Sequence, residues 1–368
     1  MVSYRAIQVF LEEAAPPYLE EEWDNSGFQV KRDRDEVERL LVGLDPTRDL
    51  IQYGVNRDVE LIITHHPLIF NSLEGLEEGT LVGSKLLQLI DNQIDLVSIH
   101  TPFDHSARGL SDALAERLGL RSSRVLKPVR GGNLLRMIVF VPPAHEAEVV
   151  DALQAVGLGS LGNYSNSYYR VRSEGFFTPS ESATPARGAR GKGESTAEAR
   201  LEFILSPDLK DRAVSALMEV HPYEEPGYSI EETERINPEV GLGRIGHTTR
   251  PLGLEDVVDL VTESLNTKVD EMKITGEPDG PITTLAVSPG AGGAGLYPAI
   301  NSEAGALVTG ELDYHERMDA YEEGLVVVEI GHFHSEKIFV PRLTELFEEE
   351  FSRSELEIFQ YMEGTRGE

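Results

Sequence analysis

The sequence contains no cysteine. This absence excludes disulfide bonds, thiolate zinc sites, iron–sulfur clusters and cysteine nucleophiles. Any metal ion that the protein binds must therefore take nitrogen and oxygen ligands. Such ligands suit zinc, iron, manganese, nickel or cobalt better than copper(I).

Basic residues are also scarce, with 33 lysines and arginines against 64 acidic residues and a net charge of −31. A protein that binds the nucleic-acid backbone needs a basic surface, so nucleic acid is not an expected partner. No apolar run approaches the ~18 residues of a membrane-spanning helix, so membrane insertion is not expected either. The first residues lack the charged-then-apolar pattern of a signal peptide, and we therefore expect a cytoplasmic protein.

Short apolar segments alternate with amphipathic segments in the first and last thirds of the chain. The length of 368 residues predicts two or three domains. Strand–helix–strand repetition predicts one α/β domain, with a mostly parallel sheet covered on both faces, formed by residues 1–132 and 237–368. Its two portions are weakly similar, since Leu61–Thr64 matches Ala306–Thr309. Two similar α/β halves facing each other would bring four strand ends to one cleft, although chance similarity of buried strands explains the match equally well.

The middle of the chain has a different pattern. Residues 133–236 read as strand–helix–strand followed by a second strand–helix–strand, the order of an α+β ferredoxin-like domain. Residues 178–197 are rich in Gly, Ser, Pro, Ala and Arg, which predicts a long exposed loop. We therefore expect an inserted ferredoxin-like domain that interrupts the α/β domain.

Histidines follow two of the predicted strands. His65 and His66 come directly after an apolar segment near the start, and His332 follows another near the end. Ligand sites in open α/β sheets form at the carboxyl ends of the strands, so these imidazoles indicate a metal site. Glu336 comes four residues after His332, which would place both on one face of a helix. A pair of hydrogen-bonded core histidines is the alternative explanation for His65 and His66.

Asp104 is a fifth candidate ligand, in a segment that Pro102 predicts to be a loop. Three neutral imidazoles and two carboxylates fit two divalent ions with one bridging carboxylate. Two such ions would share a water or hydroxide, which is a strong nucleophile at neutral pH. A single ion surrounded by the remaining side chains is the alternative.

Other polar residues near these segments are candidates for proton transfer. His100 could carry protons or orient a ligand, and Glu311 or His315 could act as a general base. A surface loop explains Glu311 and His315 nearly as well. We expect His105 at the surface, and His334 either behind the ligands or at the surface.

A glycine-rich run, Gly290–Gly295, matches the dinucleotide-binding pattern and follows a predicted strand. The acidic residue that should come about twenty residues later, at the end of the next strand, is missing. We therefore do not expect a Rossmann site. The backbone amides of this run could instead hold a phosphate or close over the metal site.

Taken together, these segments resemble the Nif-three-like dinuclear metal-centre family, many of whose members carry the name GTP cyclohydrolase 1 type 2 homologue. The likeness covers nearly the whole chain. The segments that carry it are Trp23–Gly27, Val42–Thr47, Thr64–Pro67, His100–Asp104, Gly162–Ser165, His221–Pro226, Gly241–Gly246, Thr309–Glu311 and Gly331–Glu336.

The resemblance implies two divalent metal ions per chain, zinc, iron or manganese, with Glu336 as the bridge. It also implies a ring-shaped homohexamer and a PII- or CutA-like inserted domain. The first functional hypothesis is a metal-dependent hydrolase that uses a metal-bridged hydroxide to open a purine nucleotide such as GTP. The second is a non-catalytic assembly that stores, delivers or senses metal, or docks a protein partner.

Overall fold

The computed structural model describes residues 1–129, 131–160, 162 and 164–362. The chain divides into two compact units: Met1–Val129 with Glu239–Glu368, and Arg130–Pro238. Two of the positions singled out above, Asn163 of the Gly162–Ser165 segment and the end of the range 237–368, lie outside the described residues.

The described part of the chain contains β-strands in both units. They are β1 Val2–Ser3, β2 Gly27–Val30, β3 Glu36–Val37, β4 Arg39–Gly43, β5 Leu61–Thr64, β6 Asp95–Ser98, β7 Arg121–Pro128, β8 Asn133–Val141, β9 Tyr168–Phe177, β10 Glu194–Leu205, β11 Tyr228–Ile236, β12 Gly241–Leu252, β13 Lys273–Thr275, β14 Ile282–Ala291, β15 Ala306–Glu311, β16 Val326–Glu329 and β17 Glu357–Tyr361.

The helices connect these strands. They are α1 Tyr4–Ala14, α2 Arg48–Val55, α3 Leu81–Asp91, α4 Thr101–His105, α5 Leu110–Arg117, α6 Glu146–Ala155, α7 Lys210–Val220, α8 Leu254–Leu265, α9 Gly293–Ile300, α10 Tyr314–Glu322, α11 His332–Glu336 and α12 Phe339–Glu350. Short 3-10 turns lie at Pro17–Leu19, Pro143–His145, Pro207–Leu209 and Val269–Glu271. Within the described ranges, every helix is too short or too polar to cross a membrane.

The first sheet of the larger unit has the order β17-β4-β5-β6-β2. Its strands are parallel except for the edge strand β2, which pairs antiparallel with β6. In β5, Leu61 and Ile63 pack into a core that both sheets share. Ile62 points to the opposite face, where it packs with side chains of α2 and α3. Because both faces are covered, the strand is apolar at every one of these positions.

The second sheet of this unit has the order β13-β16-β15-β14-β12-β7. Only β14, β15 and β16 form parallel pairs among the described strands of this sheet. The prediction of a mostly parallel sheet is therefore wrong here. The reason is that β7 and β12 form an antiparallel pair, with Pro128 opposite Gly241, and the smaller unit occupies the connection between them.

The two sheets share one feature that the sequence similarity indicated. Strands β4, β5 and β6 are adjacent and parallel, and so are β14, β15 and β16. The two matched segments, Leu61–Thr64 and Ala306–Thr309, belong to the central strands β5 and β15. The larger unit is thus a mixed α/β structure in which two similar sheets face a common core.

The smaller unit has the element order β8-α6-β9-β10-α7-β11 and one antiparallel sheet with strand order β11-β8-β10-β9. This is the ferredoxin-like arrangement that its sequence pattern predicted. Its core lies under α6 and α7, and its largest buried side chain is Phe203 of β10.

The exposed loop predicted over residues 178–197 is shorter than expected. Glu194 to Ala197 belong to β10, and Glu194 pairs with Phe177 and Ala197 with Glu174 of β9. Thr196 is buried even though this stretch has little apolar bulk. These residues form a strand because they pair with β9 in a long hairpin, and local composition does not reveal that pairing.

His221 of the smaller unit is buried and uses both of its ring nitrogens. Nε2 lies 3.0 Å from the Phe140 carbonyl oxygen, and Nδ1 lies 3.1 Å from the Tyr223 amide, which donates to it. The ring is therefore neutral, with its proton on Nε2. Burial lowers the pKa of His221, in agreement with this arrangement.

Arg244 of β12 is buried and fixes the segment that follows α4. Its guanidinium donates to both carboxylate oxygens of Asp112, at 2.5 and 2.8 Å. It also donates to the carbonyl oxygens of Gly241, Gly243 and Ser106. Since Ser106 directly follows α4, this pair holds in place the helix that carries Asp104.

Candidate metal centre

His65 and His66 lie where β5 ends. Both of their backbone amides donate to the Leu44 carbonyl oxygen, at 3.1 Å, which turns the chain out of the strand. Nδ1 of His65 lies 3.2 Å from the Ile99 carbonyl oxygen, and Nδ1 of His66 lies 2.9 Å from Asp45 Oδ1. With Nδ1 engaged in this way, both rings direct Nε2 toward the same space.

Asp104 lies in the short helix α4, so the predicted loop at this position is wrong. Pro102 is the second residue of α4, where a missing amide hydrogen costs no intrahelical bond. The helix brings Asp104 Oδ1 to 3.5 Å from His65 Nε2. The side chain of His65 is fully buried and that of Asp104 is nearly so.

His332 and Glu336 lie on one face of helix α11, as their spacing predicted. His332 Nε2 is 3.1 Å from Glu336 Oε2. The same carboxylate reaches across to the first sheet, where Oε2 lies 3.2 Å from His66 Nε2 and Oε1 lies 3.8 Å from His65 Nε2. Glu336 therefore contacts imidazoles from both halves of the larger unit.

The structure brings the five predicted ligands into one cluster, and His100 joins them. The ligand atoms of His65, His66 and His100 lie within 4.8 Å of one another, and so do those of His66, His332 and Glu336. These two groups share His66. Each group offers ligand atoms close enough together to hold a metal ion.

Three buried atoms of this cluster have no hydrogen-bond partner among the described residues: His65 Nε2, Asp104 Oδ1 and Glu336 Oε2. A buried polar atom without a partner costs free energy, of the order of 1–3 kcal/mol. Metal binding would satisfy these atoms, with ligand types that zinc, iron and manganese accept. The side chains present therefore fit a metal centre.

Burial and the two carboxylates shape the charge of the cluster. Burial raises the pKa of Asp104 well above its usual value, and Glu336 adds to this effect. Burial lowers the pKa of His65 well below its usual value. At His66, burial is outweighed by Asp45 and Glu336, which raise the pKa to about 10. The carboxylates thus favour positive charge in the cluster, which a bound divalent cation would supply.

Asp24 is a functional candidate that the sequence analysis did not single out, although it lies in a segment that carries the family resemblance. Its buried side chain contacts His100 Nδ1 at 2.8 Å and accepts from the Thr101 hydroxyl at 2.6 Å. Burial would raise the pKa of Asp24, but the bonds with His100 and Thr101 outweigh it and lower the pKa far below its usual value. Asp24 therefore holds His100 with Nε2 toward the cluster.

Glu311 supports His332 in a similar way. Its Oε1 lies 3.1 Å from His332 Nδ1, on the side of the ring away from Glu336. Here the structure places Glu311 beside the cluster, behind a candidate ligand. His332 has its pKa raised to about 9, chiefly by Glu336 and with a smaller contribution from Glu311.

The glycine-rich run closes over the centre. Gly290 has a φ of +66°, and a Cβ at this position would approach Glu336 Oε1 closer than 3.0 Å. The Gly290 amide donates to the Ser335 hydroxyl at 2.9 Å. Only glycine therefore lets β14 end against the Glu336 carboxylate.

The three remaining histidines that the sequence analysis considered lie outside the cluster or in other surroundings than expected. His315 is exposed at the start of α10, and its ring contacts Tyr314; it does not join the cluster in the described part of the chain. His105 is buried, with Nδ1 3.0 Å from the Leu19 carbonyl oxygen, so the expected surface position is wrong. His334 is also buried, 3.9 Å from Glu271, because the short helix turns it toward the protein interior.

Known proteins resemble this chain over nearly its whole length. The family model described as Duf34/NIF3 (NGG1p interacting factor 3) matches residues 2–365. A Halalkalibacterium halodurans protein named GTP cyclohydrolase 1 type 2 homolog is 32% identical over 326 residues, which is 89% of this chain and 87% of that protein. A Bacillus subtilis protein of the same name is 32% identical over 338 residues, 92% of this chain and 90% of that protein.

The fold has a solved counterpart. The crystal structure of a Bacillus cereus protein related to NIF3 superposes with a TM-score of 0.85 at 30% sequence identity. The superposition covers 99% of this chain and 97% of the other. The match of sequence and fold over nearly the full length shows that this chain belongs to the Duf34/NIF3 family.

Proposed function

We propose that the protein is a dinuclear metal-dependent hydrolase. Its ions would be held by His65, His66, Asp104, His332 and Glu336, with Glu336 as the bridge. The observation that supports this most directly is the pair of buried, unpartnered atoms, His65 Nε2 and Asp104 Oδ1, that face each other in the cluster. Such atoms cost free energy while they are left without partners, and a bound cation would satisfy both of them.

Two bound divalent ions supply Lewis acidity, which activates water near neutral pH. The chain positions a proton carrier beside them. His100 keeps its Nδ1 against Asp24, so Nε2 is the nitrogen that accepts a proton from water or returns one to a leaving group. Glu311 orients His332, as Asp45 orients His66.

The substrate class that we propose is a purine nucleotide such as GTP. This proposal is supported by the name that the two relatives carry, GTP cyclohydrolase 1 type 2 homolog. The family resemblance further supports a ring-shaped homohexamer with a PII- or CutA-like inserted domain, and the composition supports a cytoplasmic location. None of these assignments alters the ligand set.

The test combines metal analysis with a turnover assay on the full chain. We expect about two ions per chain by elemental analysis, and metal-dependent turnover of GTP. His65→Ala should abolish turnover and lower the metal content. His145→Ala, which removes an exposed imidazole in the smaller unit, is the matched control and should change neither quantity.

Two results would contradict the hydrolase. One is full metal occupancy with no turnover across a panel of nucleotides and phosphoesters, which would favour a non-catalytic metal-binding assembly. The other is turnover that survives in His65→Ala. A metal content that stays at two ions per chain in Glu336→Gln would contradict the bridge.

A further inference from the structure

Two large aromatic side chains lie exposed beside the metal centre. Trp23 is 56% exposed and Phe70 is 49% exposed. Their ring centroids are 6.0 Å apart, and their planes are inclined at 37°. The Trp23 ring is 5.6 Å from the ring of His100, which in turn is 5.3 Å from the ring of His66. We call this pair of residues the aromatic rim. It borders the cluster through His100.

Polar side chains hold the aromatic rim in place. The Asn25 side-chain amide donates to the Ile69 carbonyl oxygen, and the Ile69 amide donates to Gln29 Oε1 at 2.9 Å. Gln29 Nε2 also donates to the Asn25 carbonyl oxygen at 2.9 Å. The residue before Phe70 is thus tied through both of its backbone groups to the segment that follows Trp23.

The bond between Asp24 and His100 fixes the same segment from the other side. Trp23 is therefore held between Asp24, which contacts the metal centre through His100, and Asn25, which fixes the neighbourhood of Phe70. The backbone around both rings is positioned by hydrogen bonds, whereas the rings themselves keep about half of their surface in solvent. Two neighbouring aromatic rings with a positioned backbone and a free face are an arrangement suited to stacking with a bound ring.

We propose that the aromatic rim binds a planar heteroaromatic ring of the substrate by stacking. The proposal rests on the proposed function, because it names the part of the substrate that lies beside the hydrolytic centre. Stacking of a base on an aromatic side chain is worth about 1–3 kcal/mol and requires only a flat face on each partner. A substrate without an aromatic ring would gain little binding free energy from two aromatic faces at this position.

Trp23 is the only tryptophan in the sequence, so the intrinsic tryptophan fluorescence of the full chain reports on this rim alone. The metal-loaded protein is titrated with GTP, ATP and guanosine, and with tripolyphosphate as a probe without a ring. We expect saturable quenching by the ring-containing probes and none by tripolyphosphate.

Variants test the same point by calorimetry. Trp23→Leu should weaken GTP binding by about tenfold, the equivalent of about 1.4 kcal/mol, and leave tripolyphosphate binding unchanged. Trp23→Phe should restore most of the affinity, and Phe70→Leu should weaken GTP binding in the same direction as Trp23→Leu. Phe176→Leu, at an aromatic residue of the smaller unit that is 77% exposed, is the matched control.

The proposal is refuted if both variants, Trp23→Leu and Phe70→Leu, bind every ring-containing probe as tightly as the unchanged protein does. Circular dichroism must first show that both variants are folded. A lower molecular mass of either variant by light scattering would also overturn the proposal, because the rim would then be a contact between copies. Ring binding without any turnover would support the rim and contradict the hydrolase. Turnover that is independent of the rim would contradict the rim and leave the hydrolase intact.

Discussion

A single methyl group added at Gly290 should disable the metal centre. The Cβ of Gly290→Ala would lie closer than 3.0 Å to Glu336 Oε1 and 3.7 Å from His332 Cε1. The carboxylate must therefore move by several tenths of an ångström or more, whereas coordination tolerates only about 0.2 Å. We expect the affinity for Zn²⁺ or Mn²⁺ to fall by about 100-fold, the upper range for a disturbed ligand environment.

Backbone strain must be separated from the clash. Alanine in the left-handed region costs roughly 1–2 kcal/mol wherever it occurs. Gly119 has the same φ of +66° as Gly290, and a Cβ there would meet nothing within 4 Å. Gly119→Ala therefore carries the strain without the clash.

The assay is calorimetric titration of both metal-free variants with Zn²⁺, together with thermal unfolding. Both variants should lose similar stability from strain, but only Gly290→Ala should lose metal affinity. Equal affinities in the two variants would refute the reasoning, because Glu336 could not then be a ligand in the position that the structure gives it.

Three further predictions concern other parts of the chain. Arg244→Met removes the guanidinium that pairs with Asp112 and leaves this carboxylate only the Arg108 amide as a donor among the described residues; it should lower the free energy of unfolding by about 3 kcal/mol in urea titrations. Because the pKa of His221 is lowered in the folded protein, the unfolded chain binds a proton at a higher pH than the folded one. The free energy of unfolding should therefore decrease as the pH drops below about 6.5. His221→Gln should make this decrease smaller. Asp24→Asn should release His100 and lower GTP turnover by about 10–100-fold while the metal content stays unchanged.

Four of the five candidate ligands could be found in the sequence because they directly follow an apolar strand or keep helical spacing. His65 and His66 come directly after β5, and His332 with Glu336 shows the four-residue spacing of α11. The short helix α4 was missed because Pro102 argues against a helix interior, whereas it is favourable in the first turn. The local sequence pattern therefore predicted which residues are candidate ligands better than it predicted their secondary structure.

Partners across the fold were beyond the reach of the sequence. Asp24 and His100 are 76 positions apart, and Asp45 and His66 are 21 apart. Neither pair has a spacing that any periodic element would explain. The buried His105 ring likewise finds its hydrogen-bond partner, the Leu19 carbonyl oxygen, 86 positions away.

The sequence by itself determined that a metal site here must be built from nitrogen and oxygen, since it has no cysteine, and that imidazoles would stand at strand ends. It also determined the element order of the ferredoxin-like unit, because periodicity is a local property. Only the tertiary structure decided that Glu336 reaches the imidazoles of the other sheet, that Gly290 leaves room for it, and that Trp23 stands beside the centre. Those relations depend on how two sheets pack against one core, a non-local outcome that no window of sequence contains.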